Sequence, residues 1–359
     1  MERKKRIYRN LKELSEARDI LFQHFKDIRS GKESVHTREA LGRVLAKPVV
    51  AKQSVPAYHA AAMDGIAVKA SDTFGALPEN PIILNKSSQA VMVDTGDPMP
   101  EGTDAVIMIE KVEDTDEGWE IREAAYPWRN VRKAGEDMVK GEIILPASHR
   151  IRPYDQAALL AAGIYTVHVV KKPHVLIIPT GTEVVVPEEA PDPFPIGAVL
   201  EVNGQMLASL SEECGAQAEI NAPISDIESE LQITLKEALS KDYTLIMIIA
   251  GSSAGSEDFT PPLLEGMGQL LVHGVTVMPG KPALIAQVED KPIIGIPGYP
   301  ISAAVIFREF VRPLLYILQG LQPPEPEKVK VTLGRKIPSK LGLEEHVRVI
   351  IGNMSGKYV

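Results

Sequence analysis

The stretch YTLIMIIAGSSAGSED, residues 243–258, decides the fold of this chain. Its first seven residues, 243–249, are almost all apolar and include several β-branched side chains. An apolar run of this length is typical of a strand that is buried on both faces, as in a parallel sheet covered by helices. Small residues and two carboxylates, Glu257 and Asp258, follow the run. Because ligands of such sheets bind beyond the carboxyl ends of the strands, we predict a ligand site here.

The segment around this stretch alternates between strand and helix patterns. Apolar runs predict strands at 174–179, 243–249, 275–277, 283–288 and 292–296, and helices at 203–214, 225–239 and 301–318. Asn203 is suited to be an N-cap, and Ser225 and Glu228 have the spacing of a capping box. The alternation predicts a doubly wound α/β domain.

The remaining segments have other patterns. Apolar residues on one face predict a helix over 10–29, and Thr37 is suited to cap a second helix that reaches about Leu45. Between 49 and 146, short apolar runs separated by Gly, Pro and Asp predict a β-rich domain.

We therefore predict a multidomain α/β plus β protein. Its parts are an N-terminal helical and linker domain (1–48 with 147–172), a β-rich domain (49–146), an α/β domain (173–319) and a C-terminal β segment (327–359). The last segment is too short for a core of its own. We expect it to pack on something else, or the chain to be a fragment whose C-terminal domain is incomplete.

Composition and charge exclude several classes of protein. A formal net charge of −9 argues against a nucleic-acid-binding surface. No apolar run approaches the length of a membrane span, and no apolar segment follows the basic N-terminus as in a secretory signal. The single cysteine, Cys214, excludes an internal disulfide, and its spacing from Leu207 and Leu210 predicts a buried thiol. We expect a cytoplasmic protein with no nucleic-acid or membrane partner.

Carboxylates follow two of the predicted strands. Glu183, in the segment PTGTE, follows the first strand, and Glu257 and Asp258 follow the strand at 243–249. Clustered carboxylates repel one another unless a divalent metal ion lies between them, and hard oxygen ligands favour Mg²⁺. On its own, Glu183 fits a solvated loop acid equally well. Asp226 is predicted in the first turn of a helix, where the helix dipole is a sufficient explanation for it.

Two proline-rich turns carry further candidates. Lys281, in MPGKP (278–282), offers a point charge to a phosphate or oxyanion, although a lysine in a turn is more often only solvated. In PGYP (297–300), Pro300 is suited to the first position of a helix, which makes Tyr299 the N-cap. Tyrosine has no good capping oxygen, so we expect its ring to serve another purpose.

Three Asp- and Gly-containing segments stand out in the β-rich block. They are AMDG (62–65), TGD (95–97) and NVRKAGED (130–137). Each, taken singly, is explained by a glycine turn in which the acid binds local backbone groups.

In this order, the segments resemble the molybdopterin molybdenumtransferase family, which includes bacterial MoeA and the E domain of gephyrin. The matching segments are PAYHAAAMDGIAV (56–68), DTGDPMPEGTDAVIMIE (94–110), NVRKAGED (130–137), PTGTEVV (179–185), the segment around Asp226, AGSSAGSEDF (250–259), PGKP (279–282) and PGYPIS (297–302). Each segment is weak evidence alone, but the ordered set covers most of the chain and is specific.

The resemblance implies a fold, an assembly and a reaction. It implies an elongated homodimer with a MogA-like, molybdopterin-binding α/β domain, and a site between this domain of one subunit and the β-rich domain of the other. The implied reaction inserts molybdate, or tungstate, into adenylylated molybdopterin and releases AMP with the help of Mg²⁺. The molybdopterin adenylyltransferase of the pathway is an implied partner.

The resemblance also implies roles for particular residues. The catalytic acids correspond to Asp64, Asp137, Glu183, Asp226 and Asp258, and a metal ion would be held by Asp64, Glu183, Asp226 and Asp258. The residues implied or expected to line the substrate pocket are Thr95, Arg132, Thr180, Ser253, Lys281, Pro297, Tyr299 and Pro300.

The chain departs from the family pattern at several pocket positions. Ala60 and Ala61 replace Asn-Ser, Met278 replaces a lysine, Tyr299 replaces an asparagine, and AGSSAG (250–255) replaces GGVSVG. These changes predict an altered pterin–nucleotide pocket, and they resemble a divergent branch that is followed by a periplasmic-binding-protein-like domain. Two alternatives to the transferase are a non-catalytic sensor or carrier of the cofactor or its oxyanion, and a dimeric scaffold.

Overall fold

The computed structural model describes residues 11–250, 259–354 and 357–358. The chain divides into two compact units, 1–33 with 170–359 and 34–169. Within the described residues lie seven α-helices: α1 (Leu14–Phe25), α2 (Pro153–Ala161), α3 (Asn203–Glu213), α4 (Glu228–Leu239), α5 (Thr260–Met267), α6 (Pro300–Ile306) and α7 (Arg312–Leu318). No helix in these ranges is long and apolar enough to cross a membrane.

A six-stranded sheet forms the centre of the first unit. Its order is Gln217–Ile220, His174–Pro179, Leu245–Ala250, Lys291–Pro297, Leu284–Val288 and Gln269–His273. The first four strands run parallel, and the fifth runs antiparallel to its two neighbours. This sheet and its helices confirm the predicted α/β class, although the strands at 217–220 and 269–273 were not predicted.

The strand Leu245–Ala250 is buried on both faces, as its sequence predicts. Each residue from 245 to 249 is at most 5% exposed. Alternate side chains enter two different cores: Leu245, Met247 and Ile249 one, and Ile246 and Ile248 the other. Because both faces are covered, the strand has no polar face, which explains its uninterrupted apolar run.

Helix α1 packs on this sheet. The predicted apolar face is confirmed, since Leu14, Ala17, Leu21 and Phe25 are at most 2% exposed. All four belong to the core that contains Met247 and the other sheet residues on that side. The structure therefore places α1 in the α/β unit, which differs from the predicted grouping of 1–48 with 147–172.

The second unit is rich in short strands. Its sheets are Ala90–Val93 with Gly65–Val68 and Ala105–Met108, Ile82–Leu84 with Trp119–Ile121 and Val112–Asp114, Ala60–Ala61 with Val131–Arg132, and Val49–Val50 with Ile143–Leu145. One more two-stranded sheet pairs Lys32–His36 with Thr166–Val170. Single 3-10 turns lie at Ala70–Thr73 and Ile109–Lys111.

The predicted helix from Thr37 to Leu45 is wrong. Only one 3-10 turn, Thr37–Glu39, forms there. The Thr37 hydroxyl donates to the carbonyl of Ile164 at 2.8 Å, and Thr37 is fully buried. The threonine therefore satisfies a tertiary partner instead of capping a helix.

The last part of the described chain adds short strands to the α/β unit. Glu344–Glu345 pairs in parallel with Val277–Met278, and Asn353–Met354 pairs with Lys357–Tyr358. The His346 N–H donates to the Met278 carbonyl at 2.8 Å. This segment thus packs on the strand that leads into the turn containing Lys281.

The helix predicted at 301–318 is interrupted. Helices α6 and α7 are joined by a π-helical turn, Phe307–Val311. That turn buries Glu309, which is 5% exposed and is paired with Arg18 and with Arg308, the latter at 3.0 Å. Pro300 occupies the first position of α6, as predicted.

The packing of α1 gives a test of the fold. Leu21→Ala removes a fully buried side chain, so we expect the free energy of unfolding to fall by about 2–5 kcal/mol in chemical denaturation. Ile233→Ala is the control, because Ile233 is 58% exposed on α4 and its loss should cost less than about 0.5 kcal/mol. Equal losses in the two variants would contradict the burial of α1.

Candidate functional site

Three neighbouring parallel strands end at one edge of the sheet. Pro179 pairs with Ile249, and Ala250 pairs with Pro297. The strands that end at Pro179, Ala250 and Pro297 therefore reach the same edge of the sheet. Two predicted site residues, Ser253 and Asp258, follow Ala250 and lie outside the described residues.

The turn that carries Glu183 is joined to the loop that carries Asp226. Thr180 forms a bridge with Ile224, and the Gly181 N–H donates to the Ile224 carbonyl at 3.0 Å. Glu183 and Asp226 are both exposed on these adjacent segments. The two carboxylates predicted from different parts of the sequence thus reach the same edge.

Thr180 is held by the sheet itself. Its hydroxyl donates to the carbonyl of Ile249 at 3.0 Å, and the residue is only 6% exposed. The side chain therefore stabilises the start of this turn, and its predicted contact with substrate stays a prediction.

Glycine at position 181 allows the turn to fold tightly. Gly181 has a φ of +141°, which side-chain-bearing residues rarely adopt. A Cβ here would lie 2.7 Å from Cγ2 of Val184 and 3.0 Å from Oε2 of Glu183. The glycine therefore gives the Glu183 carboxylate room to fold back over the turn.

The start of α4 differs from the prediction. The helix begins at Glu228 with Ile227 as its N-cap, and Ser225 makes no capping box. Instead, the Ser225 N–H donates to the carboxylate of Glu230 at 3.2 Å. Asp226 lies in the loop before the helix, one residue before the N-cap.

Lys281 and Tyr299 lie on turns at the same edge. Leu284 pairs with Gly295 in antiparallel register, so the turn with Lys281 enters the sheet near the point where Pro297 leaves it. The Lys281 carbonyl accepts the Val275 N–H at 2.9 Å.

Tyr299 occupies the N-cap of α6 without capping it. Its side chain makes no capping hydrogen bond and is 78% exposed, whereas the preceding Pro297 is buried. The predicted position of Tyr299 at the N-cap is confirmed, and its exposed ring lies two residues after the buried Pro297.

The three segments singled out in the β-rich block converge on one short strand, Ala60–Ala61. Ala60 bridges to Pro98 on one side and pairs with Arg132 on the other. The Ala62 N–H donates to the carbonyl of Asn130 at 2.8 Å. The predicted residues Asp64, Thr95, Arg132 and Asp137 therefore lie on adjoining segments of this unit.

Asp64 is held as a carboxylate by Thr95. Its Oδ1 accepts the Thr95 N–H at 2.7 Å. This backbone hydrogen bond, followed by one from the Thr95 hydroxyl, lowers the pKa of Asp64, and burial opposes the shift. The next residue, Gly65, has no room for a side chain, because a Cβ would lie 1.9 Å from the carbonyl oxygen of Ile107.

Arg132 is engaged by two neighbouring acids. Its guanidinium binds Glu136 at 2.8 Å and Asp137 at 2.5 Å. The hydrogen bonds raise the pKa of Arg132 and lower the pKa of Glu136. All three side chains are exposed, so these pairs contribute little stability and an anionic ligand could replace an acid on Arg132.

An aromatic cluster next to Arg132 was not predicted. The rings of His59 and Trp128 lie 4.9 Å apart, and the Lys133 ammonium lies 5.0 Å from the centre of the Trp128 ring. Trp128 is 40% exposed. A tryptophan in a polar loop is the sequence signal that could have indicated this cluster.

The donor chemistry at the sheet edge fits Mg²⁺ in type. Glu183 and Asp226 supply carboxylate oxygens, which are the ligands that this ion prefers. Among the described residues, no group of three or more His, Cys, Asp or Glu side chains is placed to hold a metal ion. A complete set would need a further ligand, and the predicted one is Asp258.

Comparison with known proteins identifies the class. Residues 12–163 match the family described as "MoeA N-terminal region (domain I and II)", and residues 176–316 match "Probable molybdopterin binding domain". The fold and the site thus define a protein of molybdenum cofactor biosynthesis.

Individual relatives narrow this class to one family. A molybdopterin biosynthesis protein of Methanocaldococcus jannaschii is 33% identical over 359 residues, covering 96% of this chain and 88% of that protein. The molybdopterin molybdenumtransferase of Bacillus subtilis (strain 168) is 31% identical over 345 residues, covering 90% and 79%. The crystal structure of the MoeA protein from Pyrococcus horikoshii OT3 matches with a TM-score of 0.78 and 33% identity, covering 97% and 89%. The chain belongs to the molybdopterin molybdenumtransferase (MoeA) family and is a transferase.

The contact between Asp64 and Thr95 makes a pH prediction. We expect NMR titration of carbon-13-labelled aspartate to give Asp64 a pKa below its ordinary value. Thr95→Ala should raise this pKa only in part, because the larger cause, the backbone N–H, remains. Since the folded-state pKa is depressed, the contact stabilises the fold above the unfolded-state pKa and is lost as pH falls through the folded-state pKa.

Thr95→Ser is the matched control for this titration. It keeps the hydroxyl, so the pKa of Asp64 should stay at its wild-type value. An unchanged pKa in Thr95→Ala would show that the hydroxyl contributes nothing.

Proposed function

We propose that this transferase inserts molybdate, or the similar oxyanion tungstate, into adenylylated molybdopterin and releases AMP, assisted by Mg²⁺. The observation that supports the proposal is that the turns carrying Glu183, Asp226, Lys281 and Tyr299 lie at one edge of the parallel sheet. This edge combines carboxylates for a cation, a lysine for an anion and an aromatic ring for a planar heterocycle.

The acids of the α/β unit would hold the metal ion. Glu183, Asp226 and Asp258 are the proposed ligands, and a bound Mg²⁺ would supply positive charge against the charge that develops on the phosphate. The carboxylates otherwise repel an anionic substrate, so the proposal predicts weak substrate binding when the ion is removed by a chelator.

Lys281 and Asp64 have complementary proposed roles. Lys281 would place an ammonium near the phosphate or the oxyanion, where negative charge must be offset. Asp64, with its lowered pKa, stays ionised at neutral pH and accepts hydrogen bonds instead of donating a proton. No nucleophilic side chain is required, because water or an oxygen of the oxyanion would attack the phosphoanhydride, which would leave AMP and the phosphate of molybdopterin as separate products.

The proposal extends to assembly and supply. We propose a cytoplasmic homodimer that receives its substrate from a molybdopterin adenylyltransferase. Adenylylation must come from a separate adenylyl-transfer reaction, since this proposal uses the adenylyl group only as a leaving group. Light scattering with size-exclusion chromatography tests the dimer directly.

Release of AMP tests the reaction. Wild-type protein with adenylylated molybdopterin, molybdate and Mg²⁺ should release AMP, and Lys281→Gln should slow this by about 100-fold, as for loss of one group that stabilises developing charge. Lys241→Gln is the control, because Lys241 lies over Tyr243 before the buried strand begins, away from the site edge.

The outcomes separate the alternatives. No AMP release beside a competent MoeA control would contradict the proposed reaction. Tight binding of the adenylylated substrate without turnover would indicate a carrier or sensor instead.

Tyr299 makes a separate prediction about binding. We expect its exposed ring to stack on the pterin or the adenine, so Tyr299→Asn should weaken binding of the adenylylated substrate about 5- to 100-fold in calorimetry. Tyr299→Phe keeps the ring and should stay within about twofold. Tyr154→Asn, at a tyrosine that is 86% exposed in the other unit, is the surface control. Equal affinity of wild type and Tyr299→Asn would exclude stacking.

A further inference from the structure

Helix α3 begins with an asparagine that does not cap it. The sequence predicts Asn203 as the N-cap, and this prediction is wrong. Val202 occupies the N-cap position without a side-chain hydrogen bond, and Asn203 is the first helical residue. Asn203 is only 8% exposed, so its side chain is buried.

Another side chain serves the start of this helix. The carboxylate of Glu201 accepts the Gly204 N–H at 2.7 Å, which satisfies one of the free donors of the first turn. The usual task of an asparagine at a helix start is therefore already performed, and the Asn203 amide is available for a partner elsewhere.

That partner is the turn that carries Tyr299. The Asn203 side-chain NH2 donates to the carbonyl of Gly298 at 2.7 Å, across 95 residues of sequence. Gly298 lies between the buried Pro297 and the exposed Tyr299. The prolines at 297 and 300 have fixed φ angles, so the glycine is the most adjustable residue of this turn. The amide thus restrains the one position with the greatest backbone freedom.

The other end of the same amide makes no compensating bond. Oδ1 of Asn203 is buried and has no hydrogen-bond partner among the residues that the structure describes. A buried acceptor without a donor is unfavourable, and an alanine at position 203 would remove this unpaired oxygen. The amide is therefore a poor choice for stability alone, and its contribution is the bond to Gly298.

We propose that Asn203 is a positioning residue for substrate binding. By fixing the Gly298 carbonyl, it sets the direction in which the Tyr299 ring leaves the sheet edge and so how tightly a planar aromatic group is held. Asn203 does not touch the reacting atoms. The inference rests on the proposed function for the identity of that aromatic group, which belongs to adenylylated molybdopterin.

Two variants of Asn203 test the bond. Asn203→Ala removes the donor and the unpaired acceptor together. Asn203→Asp keeps the shape but turns the donor into an acceptor that faces the Gly298 carbonyl. In the AMP-release assay, we expect each to raise KM about 5- to 10-fold and to leave kcat within about twofold. Ser211→Ala is the matched control, because Ser211 is a fully buried polar residue of the same helix whose hydroxyl donates to the carbonyl of Leu207, within that helix.

A double-mutant cycle shows whether Asn203 acts through Tyr299. If it does, Asn203→Ala should have almost no further effect on KM in a Tyr299→Asn background, because coupled residues are not additive. An additive effect, or an unchanged KM in the single variant, would overturn the proposal. So would failure of both Asn203 variants to fold in thermal unfolding, because the amide would then serve stability.

A readout without substrate separates this inference from the proposed reaction. In wild type, the Ala303 N–H donates to the Tyr299 carbonyl at 2.9 Å as α6 begins. We expect hydrogen exchange in a peptide covering 298–304 to be at least about tenfold faster in Asn203→Ala and unchanged in Ser211→Ala. Faster exchange without any AMP release would support the restraint and contradict only the reaction, whereas unchanged exchange would overturn the restraint.

Discussion

The parallel register of three buried strands is the constraint on which the α/β unit depends. His174–Pro179, Leu245–Ala250 and Lys291–Pro297 are paired so that all three end at the same edge. Helices cover both faces, so polar side chains have no place along these strands and accumulate where the strands end. The candidate site is thus a consequence of the packing, because the edge is where apolar burial stops and backbone turns begin.

Patterns that repeat along an element were predictable, and single polar signals were not. The apolar run at 243–249 and the apolar face of α1 each involve many residues, so no one contact can override them. Thr37, Asn203 and Ser225 were each predicted to cap a helix, and each prediction fails. Thr37 and Asn203 bind carbonyls distant in sequence, and the Ser225 N–H binds Glu230. For Thr37 and Asn203, the polar side chain takes the partner that the tertiary fold supplies, and local sequence does not contain that partner.

The candidate site likewise has features that the sequence predicted and features that it did not. The order of the acid-containing segments predicted which residues to examine, and the loops that carry Glu183 and Asp226 are joined by the bridge between Thr180 and Ile224. The lowered pKa of Asp64 was not predictable, because it depends on the N–H of Thr95, 31 residues away. The pairing of Arg132 with Asp137 depends likewise on how one loop folds. Sequence order therefore identifies the members of a site, whereas backbone geometry determines the shifts in their pKa values and their partners.

The turn at 297–300 combines two choices that are unfavourable by local rules. Tyr299 occupies a helix N-cap without a capping bond, which costs about 1 kcal/mol relative to asparagine or serine. Asn203, which holds this turn, keeps a buried oxygen that has no partner within the described part of the chain. Local rules are most often broken at functional sites, where another requirement outweighs stability. The hydrogen bond from the amide of Asn203 to Gly298 joins the two positions. A single requirement therefore explains both costs: an exposed aromatic ring that is held in a fixed direction at the sheet edge.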